Sequence, residues 1–253
     1  MGCVHGRDEN DSIKASKWEN LMLCCDHDKY SPYVPEAAGI VVATALDHRN
    51  SLRSKLEKAG DRKFSSGEVE AFKSSLTKHL YKASSAILLD LKYGNPARRE
   101  IVAKGGCGLI VAYEAGSCKE KAPDLAEGFS VRKLKEQGAN GIKLIIYWHP
   151  ETDESEKEAL SAFVERVGSE CHAEGLPFFL EVKVRNLEAC ERKRAIRQPQ
   201  LVLAIVEEFS KDRYRADVLK LEFPVIPKFV KGLKNTGSPP PSGYTHDLKE
   251  AQE

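Results

Sequence analysis

Gly39-Ile40-Val41-Val42-Ala43-Thr44-Ala45-Leu46-Asp47-His48-Arg49-Asn50 separates two architectures that the rest of the chain would equally allow. Residues Gly39–Leu46 are small or apolar at nearly every position. A run without polar alternation predicts a strand buried on both faces, as in a parallel sheet covered by helices. The residues after it choose between an open doubly wound sheet and a barrel. An open nucleotide-binding sheet favours a glycine-rich turn after its first strand. Asp47-His48-Arg49-Asn50 contains no glycine, which favours the barrel.

Five further runs read in the same way: Ser85–Leu89, Gly108–Tyr113, Gly141–Trp148, Pro177–Val184 and Val218–Val225. The segments between them have helical period. Val69, Phe72, Leu76 and Leu80 form one stripe, and Leu160, Phe163, Val164 and Val167 a second. Leu201, Ile205 and Phe209 form a third, with Val202 and Val206 beside it. Gly138 and Gly175 follow helical segments, where left-handed caps are expected. The order is βα repeated, so the expected fold is an α/β TIM (β/α)8-type barrel. Only six of its eight strands are legible, so the barrel is expected to be incomplete.

Three regions follow. Residues 1–38 are polar and read as a poorly ordered lead-in, with a short helix around Trp18 to Leu23. Residues 39–234 hold the barrel pattern. Residues 235–253 open with Asn235-Thr236-Gly237-Ser238-Pro239-Pro240-Pro241 and read as a polar loop and a tail that could begin a helix. Either the chain is a shortened form or the last quarter of the barrel comes from elsewhere. Open edges at the first and sixth strands predict reduced stability and assembly with a second copy.

Composition excludes several classes. The chain has 253 residues, with 39 Lys+Arg against 38 Asp+Glu and a formal charge of +1. That balance gives no footprint for nucleic acid or an anionic membrane. No apolar run approaches a bilayer span, and the N-terminus lacks a signal core. The opening Met1-Gly2-Cys3 lacks the Ser or Thr at position 6 that myristoylation favours. Seven scattered cysteines without a CxxC read as reduced thiols, which predicts a cytoplasmic protein.

Charged residues punctuate the apolar runs. Asp47 follows the first, Asp90 the second and Glu114 the third; Lys143, Glu181 and Lys220 sit within or at the end of the others. One such charge reads as a rim residue or a structural pair. Six strands alike point to the shared mouth of a barrel. Lysine is seldom buried without cause. A neutral lysine amine attacks a ketone to form a Schiff base, and desolvation or a neighbouring cation favours the neutral form. A carboxylate such as Glu181 would then move protons. This is the chemistry of a metal-independent aldolase. No HxH or HExxH is present, so no metal and no cofactor is expected. His149, at the end of the fourth strand, reads either as facing the barrel mouth or, in preference, as a solvated loop histidine. Arg192-Lys193-Arg194, with Arg185 and Arg197, reads either as a solvated loop or as a phosphate-capturing cluster.

The chain resembles the class I tagatose-1,6-bisphosphate aldolases, within the deoxyribose-phosphate-aldolase-like barrels. The matching stretches are Ala45-Leu46-Asp47-His48-Arg49, Ala86-Ile87-Leu88-Leu89-Asp90 with Tyr93-Gly94, Ala112-Tyr113-Glu114, Gly141-Ile142-Lys143-Leu144-Ile145-Ile146-Tyr147, Phe178-Phe179-Leu180-Glu181 and Asp217-Val218-Leu219-Lys220-Leu221-Glu222-Phe223-Pro224. They run in family order. The resemblance implies a Schiff-base role for Lys220, a proton relay at Glu181, a second active-site lysine at Lys143 and an active-site aspartate at Asp47. It implies substrate contacts at Arg49 and at His48, which stands where the family has Gln; Asp90 and Glu114 are further substrate-binding candidates. The implied reaction cleaves tagatose 1,6-bisphosphate, or a similar ketose phosphate, to dihydroxyacetone phosphate and glyceraldehyde 3-phosphate. An altered, for example sulfonated, sugar phosphate is an alternative substrate, and a non-catalytic sugar-sensing relative is the alternative of another class. The family's phosphate-holding Ser-Ala-Gly-type loop and Gly-Arg motif do not occur after Lys220, which predicts an incomplete substrate cradle.

Overall fold

The computed structural model describes residues 41–116, 122–233 and 243–251. The lead-in, its Trp18 helix, the Met1-Gly2-Cys3 start and the loop over 235–241 lie outside the described residues.

Strand β1 (Ala43–Leu46) is followed by helices α1 (Asn50–Gly60) and α2 (Ser66–Leu80). The chain continues as β2 (Ala86–Asp90), α3 (Asn95–Lys104), β3 (Gly108–Ala112), α4 (Val131–Glu136) and β4 (Gly141–Trp148). Then come α5 (Glu154–Glu174), β5 (Phe178–Val184), α6 (Glu191–Phe209) and β6 (Val218–Leu221). All five strand pairings are parallel, and the spatial order is β1-β2-β3-β4-β5-β6. Consecutive order is that of a barrel wall; a doubly wound sheet would reverse at a switch point. The six strands form a curled half-barrel.

Local chemistry sets the helix boundaries. Ser65 caps α2, and Glu68 reaches back to the Ser65 N–H to complete a capping box. Asp153 caps α5 through the Ser155 N–H. Gly138 and Gly175 hold the expected left-handed conformation, with φ of +89° and +66°.

The four central strands, β2 to β5, are buried on both faces. Ile87, Leu109, Ile142, Leu144, Leu180 and Val182 join Val164, Val167, Leu201, Ile205 and Phe209 from the helices in the main core. Ala86, Leu88, Ile110 and Ala112 form a smaller cluster, with Phe179 packed against it. That is why the strand runs show no polar alternation. Of the α5 and α6 stripes, Leu160, Val164, Val167, Leu201, Val202, Ile205 and Phe209 are buried, and Phe163 and Val206 are half-buried. In α2 the buried residues are Val69, Lys73 and Thr77, while Phe72 and Leu76 line a cavity of about 180 Å³ with residues of β1 and α1. The buried row is thus turned toward a lysine, for a reason given below.

The first strand begins at Ala43, with Val41 and Val42 outside it, and two further departures lie toward the C-terminus. The sixth strand ends at Leu221 instead of Val225. There the Glu222 carboxylate accepts the Val184 N–H at 2.9 Å, so a side chain replaces the next rung of the ladder. The tail also forms a strand where a helix was expected: β8 (His246–Asp247) pairs in parallel with β7 (Val230–Lys231). Strand β1 is half-exposed, and Lys220 and Leu221 of β6 are exposed, whereas β2 and β3 are buried throughout. Among the described residues no helix is long and apolar enough to cross a membrane.

Candidate active site

Five of the strands place charged groups around one point. Asp47 lies just past β1, Glu114 just past β3, Lys143 in β4, Glu181 in β5 and Lys220 in β6. Lys143 is the centre. Its Nζ lies 2.9 Å from Asp47 Oδ2, 3.2 Å from Glu114 Oε1 and 3.0 Å from Glu181 Oε2. An ammonium has three N–H groups, and here each has a carboxylate within reach. Lys220 Nζ lies 3.0 Å from Glu181 Oε2, the oxygen that Lys143 also contacts.

The environment separates the two amines. Lys143 is 2% exposed. Burial alone would push its ammonium toward the neutral form, but Glu114, Asp47 and Glu181 outweigh that and raise its pKa above the ordinary lysine value. Lys143 is therefore a locked cation. Lys220 is 44% exposed, which corrects the reading of its run, Val218–Val225, as a strand buried on both faces. The cause is its position: β6 has β5 as its strand neighbour among the described residues, so one flank of the strand is uncovered.

The carboxylates divide similarly. Burial pushes Asp47 up, but Lys143 and then Lys220 pull it below the ordinary carboxylate range. Glu181 follows the same balance. Glu114 is buried more deeply, and there burial outweighs Lys143 and Arg49 to leave its pKa raised.

Arg49 has a structural partner that the sequence did not show. Its guanidinium donates to Glu114 Oε1 at 2.7 Å and to the Glu114 carbonyl at 2.8 Å. It clamps the turn after β1 to the end of β3 and supports the carboxylate that faces Lys143. It also lines the cavity, so a clamp and a substrate contact are both within its reach.

Asp90 does not join the cluster. It is fully buried in an ion pair with Lys73 of α2, away from the cavity lining. This is why α2 turns a lysine inward. His149 is also buried, not solvated: its Nδ1 accepts the Glu151 N–H at 3.2 Å, and Glu151 and Arg197 lie beside it.

Asp47, Glu114, Lys143, Glu181 and Lys220 open onto a cavity of about 460 Å³. His48 lies on its wall, 4.0 Å from Asp47. Sequence reasoning missed Asn50, Ser51, Lys55, Lys92, Tyr147 and Lys183, which also line it. Two of these were within reach of a period-two reading: Tyr147 lies four residues after Lys143, and Lys183 two after Glu181, on the same strand faces. The basic cluster is not part of the lining. Arg185 pairs with Glu156, Arg194 with Glu222, and Arg197 with Glu151 and Glu188.

This geometry suits chemistry that needs one exposed amine, one locked cation and carboxylates to exchange protons. Comparison with known proteins narrows the family. A "Tagatose 1,6-diphosphate aldolase" of Listeria monocytogenes serotype 4a (strain HCC23) is 38% identical over 204 residues, covering 77% of this chain and 59% of that protein. A "Tagatose 1,6-diphosphate aldolase 2" of Enterococcus faecalis (strain ATCC 700802 / V583) is 37% identical, covering 83% of this chain and 63% of the relative. The chain thus spans about three-fifths of the length of these curated relatives. A solved fructose-bisphosphate aldolase from Slackia heliotrinireducens DSM 20476 shares the fold at 12% identity, with a TM-score of 0.53 over 87% of this chain and 62% of that one. The family model described as "DeoC/LacD family aldolase" matches residues 41–249, which take in all six barrel strands and the five charged groups, and the chain belongs to that family.

Proposed function

We propose that the protein is a Schiff-base aldolase that cleaves tagatose 1,6-bisphosphate, or a similar ketose phosphate, to dihydroxyacetone phosphate and glyceraldehyde 3-phosphate. The observation that carries this reading is the shared Glu181 oxygen, 3.0 Å from both a locked cation and an exposed amine.

Lys143 is held protonated and cannot attack a ketone. Lys220 is the amine that faces both the cavity and a proton acceptor. It passes a proton to Glu181, and its Nζ adds to the ketone carbon to give a carbinolamine. Glu181 returns the proton to the departing hydroxyl, water leaves, and the iminium forms. Asp47, held ionised, takes the proton of the hydroxyl beside the bond to be broken. The carbon–carbon bond then cleaves, its electron pair passes into the enamine, and the aldehyde product departs. The proton held by Asp47 is returned to the enamine carbon, and hydrolysis of the iminium releases the ketone product and restores the amine. Lys143 keeps the carboxylates in place throughout.

Borohydride trapping tests the reading. The protein is incubated with dihydroxyacetone phosphate, reduced, and mapped by mass spectrometry. An adduct on Lys220 is expected. An adduct on Lys143 alone would reverse the two lysines, and no adduct on any lysine would favour a non-catalytic sugar-binding relative. His48 on the cavity wall, where the family has Gln, supports the altered-substrate alternative, which a comparison of kcat/KM across ketose phosphates and sulfonates separates.

A further inference from the structure

The Lys73–Asp90 pair has no part in the chemistry above, and both side chains are 0% exposed. Burying two charges is unfavourable, and apolar residues of similar volume commonly replace such a pair without loss of stability. Stability alone therefore does not account for it.

Its bonds point to a task. Lys73 Nζ donates to the Leu46 carbonyl at 2.7 Å as well as meeting Asp90. Leu46 is the last residue of β1, and the next residue is Asp47. Strand β1 has β2 as its strand neighbour among the described residues, so its end is gripped on one side only. Lys73 supplies a second hold from α2. Asp90 is itself fixed: its Oδ1 accepts the Lys92 N–H at 2.8 Å and the Tyr93 N–H at 2.7 Å. One ion pair thus joins the ends of β1 and β2 to α2.

We propose that Lys73 is a positioning residue, whose ammonium, anchored by Asp90, holds the Leu46–Asp47 peptide so that the Asp47 carboxylate meets Lys143. The inference rests on the aldolase reading where it bears on turnover, but not where it bears on Asp47 itself.

The test uses the full chain carrying Lys73→Met with Asp90→Asn. This pair removes both charges together, so neither is left buried alone. The side-chain carbonyl that the second substitution introduces still accepts from the Lys92 and Tyr93 N–H groups, while the hold on Leu46 is lost. Three quantities are measured: the Asp47 carboxyl titration by carbon NMR, the rate of borohydride-trapped adduct at Lys220, and turnover in cleavage. Asp47 should titrate upward toward its ordinary range. Turnover should fall on the order of tenfold to a hundredfold, because small misplacements of a reacting group are that costly. KM and the trapping rate should stay within about twofold, because Lys220 and Glu181 are untouched.

A folded double variant with unchanged Asp47 titration and turnover overturns the proposal. So does an equal fall in trapping and turnover, which marks a general structural loss. If the native protein shows no cleavage or trapping, the aldolase reading fails, while the Asp47 titration still judges the tether. If the double variant does not fold, Asp90→Asn alone, which takes away the anchor of Lys73, should also move the Asp47 titration upward; a native titration there overturns the proposal.

Discussion

Lys143 and Lys220 meet on one carboxylate oxygen: Glu181 Oε2 lies 3.0 Å from each amine. The two are nevertheless unequal. Lys143 faces three carboxylates in a buried site, whereas Lys220 faces one and opens to solvent. Replacing the first should damage the fold, and replacing the second should damage the chemistry.

Lys143→Met would leave Asp47, Glu114 and Glu181 buried without their common cation. Removing one partner of a buried ion pair costs about 3–5 kcal/mol. Urea unfolding should show a loss of that order. Lys220→Met removes an exposed side chain and should change stability by less than about 1 kcal/mol, while abolishing the borohydride adduct. A stable Lys143→Met protein would show that the three carboxylates find other partners.

Stability should depend on pH at both extremes. Asp47 and Glu181 have folded pKa values below their ordinary ones, so their contribution is present above the unfolded value, about 4, and is lost as pH falls through the folded values. Lys143 has a raised folded pKa. Its contribution is complete below the unfolded lysine value, about 10.4, and is lost as pH rises beyond it. Glu114, also raised, favours folding as it takes up a proton and partly offsets the acid loss. Unfolding free energies measured across pH should fall steeply below about 4 and again above about 10. A flat acid limb would mean that Asp47 and Glu181 are not held ionised by the lysines.

The strands were legible because each is an unbroken apolar run, and the charges at their ends marked the mouth. Asp90 shows where that reading stops. A carboxylate at a strand end has the same local sequence whether it faces a ligand or a buried lysine seventeen residues earlier on a helix. Lys73 itself was hidden because the buried row Val69, Lys73, Thr77 carries one apolar residue, whereas the apolar stripe Val69, Phe72, Leu76, Leu80 runs beside it. The exposure of Lys220 and the burial of His149 depend on what flanks each residue in space, which strand pattern does not encode.

Arg49→Lys should not behave as a conservative change. The guanidinium reaches both a side-chain oxygen and the carbonyl of Glu114, and an ammonium cannot reproduce that fork. Loss of one hydrogen bond to a charged group costs about 1.5–3 kcal/mol. Thermal unfolding should register that loss, and hydrogen exchange should rise at the end of β3. An unchanged melting temperature would mean that the clamp contributes nothing to the fold and would leave substrate contact as its role.

The cavity lining also separates the cations that would meet a phosphorylated substrate from those that would not. Lys55, Lys92 and Lys183 open onto the cavity, whereas Arg192, Lys193 and Arg194 do not, and Arg194 is 3.7 Å from Glu222. A charge-assisted hydrogen bond to phosphate contributes about 1.5–3 kcal/mol, equivalent to roughly ten- to a hundredfold in affinity. Lys92→Gln or Lys183→Gln should therefore raise KM by about tenfold or more with a smaller effect on kcat. Neutralising Arg192, Lys193 and Arg194 together should leave KM unchanged, and added salt should weaken substrate binding equally in that variant and in the native protein. A raised KM in the triple variant, with native values for Lys92→Gln and Lys183→Gln, would move the anion-binding face from the cavity to the start of α6.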